Sequence, residues 1–133
     1  MATINPKLTI TGTAESLGTT LSLSETPTGG SSTVVAPTIG VSKMVAPATG
    51  STEVNIVPSG AANQYTYIKH TGFQADGTTA TTNELSVLFG AVDCIRLKAG
   101  EFAYFPCKST ALVNVESVST HAIQVEFAYW TAG

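Results

Sequence analysis

The sequence predicts an all-β fold, an antiparallel β-sandwich or barrel of about 8–10 short strands. Short runs alternating apolar and polar residues recur along the whole chain, as expected of strands with one buried face. Clusters of Gly, Pro, Asn and Ser interrupt them every ~8–12 residues, the spacing of turns in an all-β domain. No segment holds a helical period for two turns, with TAESL at 13–17 the nearest approach.

At 133 residues the chain reads as one domain, 1–133, with a short N-terminal arm at about residues 1–6, where Pro6 sits and no alternation is visible. KLTITGT at 7–13 places Leu8 and Ile10 on one face, and TLSLSE at 20–25 does the same with Leu21 and Leu23. PTGGSS at 27–32 is a turn. VVAPTIG at 34–40 is echoed by MVAPATG at 44–50. Pro37 and Pro47 donate nothing to a sheet ladder, so each strand stops there or lies at an edge. EVNIV at 53–57 is closed by Pro58, Ser59 and Gly60. In YTYIKH at 65–70, Tyr65, Tyr67 and Lys69 alternate with Thr66, Ile68 and His70. TGFQADGTTATTN at 71–83 reads as a loop longer than a hairpin needs, a length that accompanies function or mobility. ELSVLF at 84–89 resumes a strand.

The most regular stretch runs from Cys94 to Trp130 and reads as four consecutive strands in two hairpins. Ala99 and Gly100 form a two-residue turn that sets Lys98 opposite Glu101. The same register pairs Leu97 with Phe102 and Ile95 with Tyr104 on one apolar core face. Cys94 and Cys107 then become diagonal neighbours ~7–8 Å apart, too far for a disulfide. Two free, mostly buried thiols are expected. Val113 and Val115 share a face further on. In the last strand His121, Ile123, Val125, Phe127 and Tyr129 line one face, with Gln124, Glu126 and Trp130 on the other.

Composition narrows the function. Only 11% of residues are charged, and Ser and Thr make up about a quarter of the chain. Sparse charge protects poorly against association, so a surface covered by a partner or by copies of itself is expected. A net charge of −3 with six scattered basic residues argues against nucleic acid. No apolar run approaches the ~18 residues of a membrane span. MATINPKLTITG has no basic segment followed by an apolar one, so folding in a reducing cytoplasm is expected.

Catalytic residues, metal ligands and cofactor-binding residues are not predicted, and neither is a small-molecule substrate. His70, His121, Cys94 and Cys107 lack the short paired spacings of a zinc site. Asp76-Gly77 resembles a turn, since no second acid follows at calcium-ligand spacing. No serine sits in a nucleophile elbow, and no glycine loop has a strand-to-helix context. Glu84, Asp93, Glu101, Glu116 and Glu126 read as solvent-side strand or turn residues, not paired catalytic acids. The aromatic residues read mainly as core. Trp130 is the exception, with Ala128 and Glu126 beside it, and is expected at a rim or interface.

YTYIKHTG, SVLFG, IRLKAGEFAYFP and the final VEFAYW, spanning residues 65–130, resemble the small all-β virion proteins of tailed bacteriophages, which include capsid cement (decoration) and head–tail accessory proteins. The resemblance implies a jelly-roll-like sandwich, commonly a homotrimer, on the outer surface of a virion. There it would bind the major capsid protein and stabilise the assembled shell without catalysis, having folded in the host cytoplasm. The segments expected to reach outside the subunit are the arm (Ala2, Thr3, Ile4, Asn5, Pro6, Lys7), the 71–83 loop (Phe73, Gln74, Asp76) and the rim at Trp130. Two other readings stay open: a tail, neck or fibre-base subunit, and a carbohydrate-binding β-sandwich module.

Overall fold

All regular structure among the described residues of the computed structural model is β; these are 2–4, 8–14, 19–25, 32–35, 41–57, 63–107 and 112–132. Asn5, Pro6, Lys7, Pro37 and residues 58–60 lie outside them. The chain divides into two compact units, Met1–Val34 and Val35–Ala132. In the first, β1 (Ala2–Ile4) pairs antiparallel with β4 (Ser32–Val35), setting Thr3 opposite Thr33. β2 (Leu8–Ala14) pairs with β3 (Thr19–Glu25), with Ile10 opposite Leu23. Residues 2–4 of the expected arm are thus a paired strand.

Among the described residues the second unit holds eight strands: β5 (Ser42–Ala46), β6 (Val54–Val57), β7 (Asn63–Gln74), β8 (Leu85–Phe89), β9 (Val92–Leu97), β10 (Phe102–Pro106), β11 (Val113–Ser117) and β12 (Ile123–Ala132). They form two antiparallel sheets, β5-β12-β7-β10 and β6-β11-β8-β9. Counted within the sandwich, these orders are 1-8-3-6 and 2-7-4-5, the double Greek-key winding of a jelly roll. Consecutive strands therefore mostly cross from one sheet to the other. β5 stops at Ala46, directly before Pro47, and lies at a sheet edge, as that proline requires.

The core lies between the sheets. Ile68 of β7 and Ile123 and Val125 of β12 face Leu85 and Val87 of β8 and Val113 and Val115 of β11, all fully buried. Each such side chain contributes ~1.5–3 kcal/mol relative to an exposed one. Phe89, Phe105, Phe127 and Tyr129 pack around this centre. Phe89 and Phe105 meet edge to face across the two sheets, with ring centroids 5.4 Å apart.

The Cys94–Trp130 stretch departs from its expected pairing. The turn at Ala99-Gly100 forms, with the Glu101 N–H donating to the Lys98 carbonyl at 2.9 Å and Gly100 at φ +85°. Its two strands do not pair with each other. β9 pairs with β8, placing Leu97 opposite Leu85 and Ile95 opposite Val87. β10 pairs with β7 in the other sheet, placing Phe102 opposite Lys69 and Tyr104 opposite Tyr67. The turn is a corner between sheets. The two-residue hairpin lies one step earlier, at Gly90-Ala91 between β8 and β9, with Gly90 at φ +65° as a type II′ turn requires. Both cysteines are free as expected, but Cys94 is exposed and Cys107 half-buried.

Candidate functional site

Five aromatic side chains share the outer face of the β5-β12-β7-β10 sheet. On β7, Thr66, Ile68 and His70 are buried, so alternation turns Tyr65, Tyr67 and Lys69 outward. Register then assembles the rest. Tyr104 lies opposite Tyr67 and Phe102 opposite Lys69 on one side, with Trp130 opposite Tyr65 and Ala128 opposite Tyr67 on the other. Tyr65 and Tyr104 stack, with centroids 5.5 Å apart and planes 6° from parallel. Tyr67 and Phe102 lie 6.2 Å apart and tilted. Phe102 is 60% exposed and Tyr104 38%.

Charge borders this face along β12. Glu126 sits between Lys43 of β5 and Lys69 of β7 in the ladder. Burial pushes the Tyr67 hydroxyl above the ordinary phenol range, and the Glu126 carboxylate adds to the shift. Burial likewise raises Tyr104, with Tyr65 as the smaller cause. Both phenols stay protonated donors at neutral pH. The opposite outer face, on the second sheet, carries polar pairs around Leu88. Arg96 pairs with Asp93, and Asn114 donates to the Glu53 carboxylate at 2.6 Å and to the Gly90 carbonyl at 3.2 Å.

The 71–83 segment is a built hairpin. β7 continues to Gln74, Phe73 bridges Ala80, and the Gln74 N–H donates to the Thr79 carbonyl. Asp76 accepts from the backbone N–H groups of Thr78 and Thr79 and from the Thr79 hydroxyl. These bonds, the hydroxyl foremost, hold its carboxyl down at about 2. Asp76 is a turn former, as its DG dipeptide implies. Phe73 is 39% exposed beside it.

The structure brings Phe73, Gln74 and Asp76 together, and it places Trp130 elsewhere. Ile123 pairs with Gln74 at one end of the β7–β12 ladder and Trp130 with Tyr65 at the other. Nine steps along the strand separate Gln74 from Tyr65, ~30 Å. Ala2, Thr3 and Ile4 lie in β1, within the other unit. Trp130 is half-buried on the aromatic face.

Sequence reasoning placed Phe102 and Tyr104 in the core, and this is corrected: they point outward. The usable signal was Lys69. A lysine on the Tyr65–Tyr67 side of a strand whose other side is Ile68 and His70 marks that side as the outer one. Among the described residues no three His, Cys, Asp or Glu side chains converge as metal ligands would. No family model matches the chain, and no curated protein matches it.

Proposed function

We propose that this protein is a non-enzymatic virion structural subunit, a cement or decoration protein that binds an assembled capsid shell as an oligomer and stabilises it. The observation that carries the reading is the aromatic outer face formed by Tyr65, Tyr67, Phe102, Tyr104 and Trp130. On this face Phe102 and Tyr104 are exposed and Tyr65, Tyr67 and Trp130 half-buried. Clustered surface aromatics of this kind suit an interaction surface, and Tyr and Trp are the residues on which interface energy concentrates. The resemblance over residues 65–130 supplies the kind of partner, and jelly-roll topology recurs in viral capsid domains.

The mechanism needs only differential binding. A subunit that contacts neighbouring shell proteins in the assembled state, and not in the dissociated one, stabilises the shell by mass action. Several copies acting together multiply weak single contacts. The Tyr65–Tyr104 stack favours a protein partner over a sugar, because each ring already spends one face on its neighbour.

Co-sedimentation of the purified chain with shells lacking it tests the reading. Tyr67→Ala and Trp130→Ala are expected to weaken shell binding by ~10-fold or more while leaving the fold intact. Unchanged binding by both variants would remove the aromatic face from the mechanism.

A further inference from the structure

The strand β10 ends its sheet, and its free edge differs from the other three edges of the sandwich. β5 carries Lys43. β9 carries Asp93 and Arg96 and a register shift against β8. β6 is four residues long, with a register shift against β11. Charge, proline, irregularity and short length are the devices by which sheet edges avoid pairing with another chain, and of these β10 has only a proline, at its last residue. β10 reads Phe-Ala-Tyr-Phe-Pro, without a charge and in unbroken register with β7. Among the described residues no strand pairs with its far side.

Backbone direction fixes what this edge offers. The Glu101 carbonyl accepts from the His70 N–H at 3.0 Å, so Glu101 faces β7. Successive residues of a strand direct their main-chain groups to opposite sides. Ala103 and Phe105 therefore bond toward β7, while Phe102, Tyr104 and Pro106 turn theirs to the free edge. Pro106 has no N–H to leave unpaired there, the edge position in which a strand tolerates proline.

We propose that β10 pairs antiparallel with β10 of a second copy of this chain, about a two-fold axis at Ala103, joining the two sheets into one. In that register Phe102 of each copy faces Tyr104 of the other, and every outward N–H and C=O of the two residues finds a partner. Pro106 selects the register: shifting the axis to Tyr104 would set Phe102 against Pro106 and lose a donor. Charge selects the occupant. Antiparallel copies of Phe102–Pro106 bring no like charges opposite one another, and the pairing sets Phe102 of each copy beside Tyr104 of the other on the outer face, an aromatic cross-strand pair that leaves the face itself open. The contact is isologous, so it joins two copies, where the resemblance implies three. It needs only a second copy of the chain and stands apart from the virion reading.

Light scattering after gel filtration of the full chain, over a range of concentrations, together with amide hydrogen exchange, tests the pairing. The expected result is twice the chain mass, with the Phe102 and Tyr104 amides slow to exchange in the dimer. Tyr104→Pro removes an N–H that faces away from β7 and is expected to give a monomer with the sandwich retained. Should that variant fail to fold, Phe102→Lys, which changes an exposed side chain, is expected to weaken the dimer by ~10-fold or more. A monomer at every concentration, a trimer, or a dimer whose Phe102 and Tyr104 amides exchange freely would overturn the proposal.

Discussion

His70 Nε2 lies 2.8 Å from the Asn83 carbonyl oxygen, while the Gly72 N–H donates to His70 Nδ1 at 2.9 Å. The two partners select one neutral tautomer, with its proton on Nε2. The ring is fully buried and ties both ends of the 71–83 hairpin to β7. His70→Ala leaves the part-buried Gly72 N–H and Asn83 carbonyl without the ring and opens a cavity. It is expected to cost ~3 kcal/mol in urea unfolding. The Thr81 amide, which bonds the Gly72 carbonyl, should lose exchange protection along with it. A cost under ~1 kcal/mol would show that the hairpin holds without the ring.

Asp76 gives a pH prediction with a definite sign. Its carboxyl lies at about 2 in the folded chain, against an ordinary value of 3.8. A depressed folded value stabilises the hairpin above the ordinary value, and that contribution fades as pH falls from 3.8 toward 2. The Asp76 carboxyl carbon shift is expected to titrate with a midpoint near 2. A midpoint near 3.8 would mean that the Thr78 and Thr79 bonds are not kept in solution.

Gly77 has φ +72°, and a Cβ there would stand 2.7 Å from Gln124 Nε2. Gly77→Ala is expected to cost ~1–2 kcal/mol through the left-handed backbone and the contact together. The contact is with the far end of a flexible side chain, so Gln124→Ala in the same chain should recover only part of the loss. Full recovery would place the strain in the contact alone.

The two thiols should react at different rates. Cys94 is exposed, while Cys107 is half-buried, with its Sγ 3.0 Å from Thr66 Oγ1. Burial pushes the Cys107 thiol up, partly offset by the Thr66 hydroxyl. Fewer thiolates at neutral pH and poorer access both slow it. A thiol titration is expected to show a fast Cys94 and a slow Cys107, and Cys94→Ser to leave only the slow phase. An unreduced mass lower by two hydrogens would contradict both free thiols.

Most strands were legible because period-two alternation depends only on which face is buried. EVNIV, ELSVLF and the run from Ile123 onward became β6, β8 and β12 with little change. Pairing was less legible, because a tight turn looks the same whether its strands share a sheet or cross between two. Lys98–Glu101 closes its local bonds and still sends β9 and β10 to different sheets. The facing of β10 was ambiguous for a related reason. Phe102 and Tyr104 alternate with Ala103 and Phe105, so both sides are apolar and alternation cannot choose between them. The side chains on β7 decide it: Ile68 and Thr66, opposite Ala103 and Phe105, are buried, and Lys69 is opposite Phe102. The aromatic face was missed by the same ambiguity.

The virion reading is tested most directly by quantitative mass spectrometry of purified tailed-phage particles assembled with this protein present. A shell-decorating subunit follows shell symmetry, so on the order of hundreds of copies per particle are predicted. About a dozen copies would place it at a neck or tail instead. Particles that contain none of it would contradict the structural role.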